Sequence, residues 1–159
     1  MGKNLNSNVN IKKISIITLI SFFILFIVMF VCFWLFDQSY IHHREKADKI
    51  NASILQKAIT AYMIDTNDKA LTFGENDLDI SGFERVLRKL HETIIINNVS
   101  YEPYLNLPEG MTIEERWKIQ SYPEYKGFKI TVYTKSDYKV EVVPYDYDNV
   151  LIFTDSKLP

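Results

Sequence analysis

The chain has 159 residues, a formal net charge of −2 and one cysteine. That length holds a membrane segment and one compact domain, with too little left for a second domain. One cysteine excludes an internal disulfide framework, and the acidic balance argues against a nucleic-acid role, which needs a basic face.

Residues 1–13 are polar and Asn-rich and carry Lys3, Lys12 and Lys13 without an acid. Residues 14–36 then run from Ile14 to Phe36 with no charge, Gly or Pro, and only Ser15, Thr18 and Ser21 are plainly polar. At ~1.5 Å per residue such a helix reaches about 34 Å, enough for a hydrocarbon core of about 30 Å. It has no polar face, so the patterning predicts a transmembrane helix and not the core helix of a soluble domain. A cleaved signal would have a shorter apolar region ending at small residues. Here the run ends in Phe33-Trp34-Leu35-Phe36-Asp37, so the segment is expected to be retained. The preceding lysines place the N-terminus in the cytoplasm of a single-pass protein in the cell membrane. Residues 37–159 then form an extracytoplasmic domain with 15 Lys and Arg against all 20 acids, a net −5. Cys32, inside the span, reads as a small apolar residue.

No Gly or Pro occurs from Lys3 to Phe73. Nothing there breaks a helix, so one helix of about 80 Å is predicted from about Ile11 to Asp65. Beyond the span, Ala47, Ile50 or Asn51, Ile54, Ala58, Ala61 and Tyr62 fall on one side. Lys46, Lys49, Ser53, Lys57 and Thr60 fall on another, while Leu55 and Ile59 widen the apolar stripe. Such an amphipathic helix needs a partner surface. Asp65-Thr66-Asn67-Asp68 is a polar stop.

A second helix is predicted from about Ser81 to Glu92. Ser81-Gly82-Phe83-Glu84 has a capping-box pattern, and Phe83, Leu87, Leu90 and Ile94 form its stripe with Val86 beside it. Arg85, Arg88 and Lys89 are expected to face water. Residues 98–125, with Pro103, Pro108 and Pro123, read as a long loop holding a short turn at Thr112 to Trp117. Alternation then predicts strands at 128–134 and 138–143 around Lys135-Ser136-Asp137, with Pro144 ending the second. A third strand is predicted at 150–154. The expected fold class is α+β: a long N-terminal helix packed on a small antiparallel meander.

This order resembles the type IV pilin and type II secretion pseudopilin family. Ile14-Ser15-Ile16-Ile17-Thr18 is similar by chemical type, in four of five positions, to the family's Phe-Thr-Leu-Ile-Glu start. Tyr40-Ile41 stands where a Tyr-Ile pair often follows the span. Asn51 through Asp65 is similar to the family's helix end, and Tyr104-Leu105-Asn106-Leu107-Pro108 to its Pro-Tyr-Leu and Pro segment. The resemblance implies a structural subunit of a bacterial envelope assembly of pilus, secretion or DNA-uptake type. Its partners would be the lipid bilayer and other pilin-like subunits or a membrane protein. Lys13 replaces the family's processing Gly, and Thr18 its early acid. Those departures point to a minor, tip or initiating role, or to an uncleaved relative whose outer domain binds or senses a partner.

Chemical motifs are sparse. His42 and His43 with Glu45 and Asp48 have metal-ligand chemistry, but adjacent residues point ~100° apart on a helix and do not converge. They read as an interfacial polar band with Arg44 and Lys46. Asp146-Tyr147-Asp148-Asn149 with Asp155 offers oxygen ligands of the kind calcium takes, yet no Gly supplies the sharp turn, and an acidic hairpin turn is expected. Asp65-Thr66-Asn67-Asp68 fails the EF-hand pattern at Lys69 and Ala70. No nucleophile–base motif or phosphate loop occurs. Glu114-Glu115-Arg116 reads as a solvated helix start, and His91 as a residue suited to a helix C-terminus. The sequons at Asn51 and Asn98 are short patterns that arise by chance in an Asn-rich chain. Tyr122, Tyr125, Tyr133, Tyr138, Tyr145 and Tyr147 suit a partner surface or the cover of a small sheet. No catalytic residue, metal or cofactor is expected.

Overall fold

The computed structural model describes residues 5–74 and 82–155, with side chains from Ile16 onward and Ile17 excepted. The chain divides into two compact units, Met1–His43 and Arg44–Pro159.

Helix α1 (Leu5–Thr66) is 62 residues long. It is uninterrupted, as the absence of Gly and Pro predicts, but begins six residues before the expected start at Ile11. In the first unit its apolar side chains from Leu19 to Phe36 are all exposed. This is the one helix among the described residues long and apolar enough to cross a membrane.

In the second unit α1 buries Asp48, Asn51, Ala52, Leu55, Ala58, Ile59, Tyr62 and Met63, a stripe at three- and four-residue spacing. The buried line centres on Leu55, Ile59 and Tyr62. Ile50 and Ile54, expected on the packed side, are instead 51% and 38% exposed. The expected stripe holds at Asn51, Leu55, Ala58, Ile59 and Tyr62, but its centre is turned away from Ile50 and Ile54 because two polar residues, Asp48 and Asn51, belong to the buried line. The helix ends at Thr66, and Asn67 takes a left-handed conformation (φ 56°). Asn tolerates that conformation at a helix C-terminus better than most residues do.

Helix α2 (Phe83–Leu90) buries Phe83, Val86, Leu87 and Leu90. Its N-cap is Gly82, in extended conformation and without a side-chain cap. The expected capping box rests on Ser81, which lies outside the described residues. Arg85 does not simply face water: it is half-buried, and its Nη2 donates to the Thr72 carbonyl at 2.7 Å.

Ile94, expected on the α2 stripe, starts a hairpin instead. Strands β1 (Ile94–Ile96) and β2 (Val99–Tyr101) pair antiparallel through a two-residue turn at Asn97 and Asn98. Both turn residues have positive φ, 51° and 66°. Primed two-residue turns need that conformation, which Asn tolerates. The segment from Asn98 is therefore not all loop. It also holds α3 (Ile113–Arg116), opened by a true capping box in which Thr112 and Glu115 satisfy one another's amides.

The C-terminal sheet departs most from expectation. Strands β3 (Gly127–Tyr133), β4 (Lys139–Tyr145) and β5 (Val150–Thr154) have the order β4-β3-β5. β3 and β4 are antiparallel, but β3 and β5 are parallel, so the sheet is mixed and not a meander. The loop after β4 crosses the start of β3 at Gly127. A Cβ there would lie 2.5 Å from the Asn149 nitrogen and 2.7 Å from the Asp148 carbonyl carbon. Only glycine permits that crossing. Asn149 Oδ1 then accepts the Phe128 N–H at 2.8 Å, pinning the loop. Pro144 does not end β4 but lies within it, opposite Phe128. β4 is an edge strand, where a missing N–H is tolerated.

The core joins Leu55, Ile59, Tyr62 and Met63 of α1 to Phe128, Ile130 and Val132 of β3 and Val140 and Val142 of β4. Phe83 of α2 stacks on Phe128 with ring centroids 5.9 Å apart. The fold is α+β, with helix α1 covering one face of the mixed sheet.

Candidate interaction surfaces

Polar anchors fix the 112–125 segment to α1. Asp48 is fully buried and accepts three hydrogen bonds: from the Gln120 and Ser121 amides at 3.0 Å each and from Ser121 Oγ at 2.5 Å. Asn51 Oδ1 accepts from Arg116 Nη1 at 2.9 Å. Gln56 Oε1 accepts the Val142 amide at 3.3 Å, tying the helix to the sheet edge. A buried carboxylate is tolerated when donors surround it, which accounts for an acid on the packed line.

A second knot closes the end of α1. Asp68 accepts from the Tyr62 hydroxyl, from Thr72 Oγ1 at 3.0 Å and from the Phe73 amide at 2.8 Å. Burial first, and the neighbouring Asp68 carboxylate second, push the Tyr62 phenol above its usual value. Tyr104, whose hydroxyl donates to Asp65 at 3.1 Å, is raised by burial first and by the Asp65 carboxylate second. These two tyrosines remain donors, which suits a structural knot.

His91 caps the C-terminus of α2. The sequence suggested a cation interacting with the helix dipole. The structure instead places the ring between the Leu105 carbonyl and the Trp117 indole, 3.0 and 2.9 Å away.

The residues with metal-ligand chemistry do not converge. His42 and His43 are exposed, and Asp48 is committed to Gln120 and Ser121. Asp155 pairs with Lys135 at 3.2 Å and accepts from Thr134 Oγ1 at 2.5 Å; both hold its carboxyl below the usual range, the Thr134 hydroxyl foremost. Asp146 and Asp148 are exposed, and Asn149 Oδ1 serves the backbone. Among the described residues no three His, Cys, Asp or Glu are grouped to hold a metal ion. Glu114 and Glu115 are exposed at the start of α3, as expected, and Glu115 completes the capping box. Asn51 is buried, so its sequon is occluded, while Asn98 is exposed on the hairpin turn.

The late tyrosines divide by environment. Tyr133 is buried and donates to Glu141 at 3.0 Å, while Tyr138 donates to Asn67 at 2.7 Å. Tyr122 and Tyr147 are exposed, and Tyr147 leans on Tyr145 with centroids 5.3 Å apart. On α1 a separate exposed line runs through Ile50, Ile54 and Ile64, on the side away from the core.

Between α2 and α3 lies a cleft of about 370 Å³. Phe83, Leu87, Ile113, Trp117 and Ile119 form its apolar floor. Charged side chains and Asn149 form its rim.

No protein-family model, curated protein or solved structure matches this chain. Periodicity could not find Asp48–Ser121, Asn51–Arg116 or His91–Trp117, because each joins residues far apart in sequence. The only local hint was an acid and an amide on an otherwise apolar helix line.

Proposed function

We propose that this protein is a membrane-anchored structural subunit of pilin-like or pseudopilin-like type, acting in a bacterial envelope assembly. Its N-terminus lies in the cytoplasm and the domain of residues 37–159 outside. The supporting observation is α1 itself. It is apolar and wholly exposed from Leu19 to Phe36, and further along the same helix it is amphipathic, with one side sealed in the core. An apolar helix whose described side chains are all exposed takes lipid or other helices as its surroundings. The exposed Ile50, Ile54 and Ile64 line gives the outer half of α1 a surface for a second subunit or a membrane partner.

The sequence at Lys13 and Thr18 favours a second reading, an uncleaved single-pass protein whose outer domain binds or senses a partner. One experiment separates them. The mature mass is measured from native membranes, and an Ile54→Cys variant in a Cys32→Ser background is cross-linked there. Processing near Lys13 together with cross-linked ladders supports the assembly subunit. An intact N-terminus and monomers alone reject it in favour of the anchored binding protein.

A further inference from the structure

We propose that the cleft between α2 and α3 binds a short peptide segment of a partner protein, one apolar side chain flanked by carboxylates. The inference does not depend on filament formation, since the cleft lies wholly within the outer domain. Its size falls in the range of ligand pockets, about 300–1,000 Å³, and suits a side chain with adjoining backbone better than an extended surface. The floor is apolar, with the Trp117 indole held in place by His91, so an apolar group has a preformed seat.

The rim decides the charge of the occupant. Arg88, Lys118 and Lys126 are exposed, and none pairs with an acid among the described residues. Asn149 has its Oδ1 occupied by the Phe128 amide, which leaves its Nδ2 group to donate. The two acids at the rim, Glu84 and Glu114, each stand in the first turn of a helix. Against Arg88, Lys118 and Lys126 they leave the cations in excess. The rim is therefore rich in donors and positive on balance, within a domain whose net charge is −5. Carboxylates and peptide carbonyls complement it.

The test uses the full chain in zwitterionic nanodiscs with both tryptophans replaced by 5-fluorotryptophan. Trp34 lies in the apolar part of α1 and Trp117 in the cleft, so one serves as control for the other. The probe is a capped pentapeptide with a central phenylalanine flanked by aspartates. The Trp117 fluorine resonance is expected to shift saturably while that of Trp34 stays fixed. Lysine-flanked or serine-centred peptides should bind about tenfold more weakly or worse. The triple variant Arg88→Gln, Lys118→Gln, Lys126→Gln should lose about tenfold in affinity, three exposed pairs each contributing modestly. Its peptide-free spectrum should match the parent, which reports an intact fold. Glu114→Gln should tighten binding. No Trp117 response at millimolar peptide would overturn the proposal, as would equal binding of the lysine peptide or an unchanged affinity in the triple variant. Equal binding of 2-naphthoate would replace the peptide by a small carboxylate. A Trp117 shift on changing to anionic lipid, without peptide, would replace it by a lipid headgroup.

Discussion

The indole N–H of Trp117 donates to Nε2 of His91 at 2.9 Å. An indole nitrogen only donates, so Nε2 carries no proton, and Nδ1–H is left to donate to the Leu105 carbonyl at 3.0 Å. His91 is thereby held as a single neutral tautomer. Burial is the main influence lowering its pKa, and the Arg116 guanidinium also lowers it, against the Leu105 carbonyl. Protonation would set one N–H against another.

A pH dependence follows from that pair. The folded pKa lies below the unfolded value, so the unfolded chain binds more protons as acid is added. Stability from this site is complete above about pH 6.5 and is lost as pH falls through the lowered folded value. The urea midpoint of the outer domain, followed at Trp117 in the full chain, is expected to drop between about pH 7.5 and about pH 5. His91→Gln should lower the midpoint at neutral pH and flatten that slope. An unaltered slope in the variant would remove His91 as its cause.

Asp48→Ala leaves the Gln120 and Ser121 amides without their acceptor inside the domain. The expected loss is about 2–4 kcal/mol, the cost of stranding buried donors. Ser121→Ala removes only the hydroxyl donor and should cost about 1 kcal/mol. Urea unfolding gives the two values. Amide exchange at 120 and 121 should quicken in Asp48→Ala, and protected amides there would contradict the anchor.

Gly127→Ala puts a methyl group into the backbone of Asp148 and Asn149. A loss of about 1–3 kcal/mol is expected from the forced shift. The damage should show first as faster exchange in β5, whose entry loop makes the crossing. Gly110→Ala is the control. Its φ is +78° with nothing near the added carbon, so only backbone strain of about 1 kcal/mol applies. Equal exchange in β5 for both variants would mean that the crossing does not depend on Gly127.

Leu71 and Phe73 both hold positive φ, 54° and 57°, beside the Asp68 knot. Left-handed backbone at bulky residues costs about 1–3 kcal/mol each unless the surroundings enforce it. Asp68→Ala is expected to release this turn and cost more than Tyr62→Phe, which leaves the Phe73 amide bonded to Asp68. Tyr62→Phe alone should cost about 1 kcal/mol. The reverse ranking in urea would show that the tyrosine, and not the aspartate, organises the turn.

Local chemistry made much of this molecule legible. Twenty-three uncharged residues from Ile14 to Phe36 can do little but form an apolar helix, and the lack of Gly and Pro carries that helix on to Thr66. Alternating β-branched residues placed β3, β4 and β5 within a residue or two, because side-chain period is a property of neighbours along the chain. The Ile-rich hairpin at 94–101 was missed, because Ile94 continues the apolar spacing of α2 and hides the Asn97-Asn98 turn.

The direction of β5 was not legible. Four residues between antiparallel strands ordinarily make a hairpin, and only the missing Cβ of Gly127 lets that connection cross to the far side of β3. The buried line of α1 likewise turned on Asp48 and Asn51, whose partners lie more than sixty residues away. The sequence by itself determined the long helix, α2, the three C-terminal strands and the membrane-compatible segment, since those depend on neighbours within a few residues. Tertiary structure alone decided strand order, the packed side of α1 and the cleft. Each of these depends on which distant groups meet and satisfy one another's polar atoms.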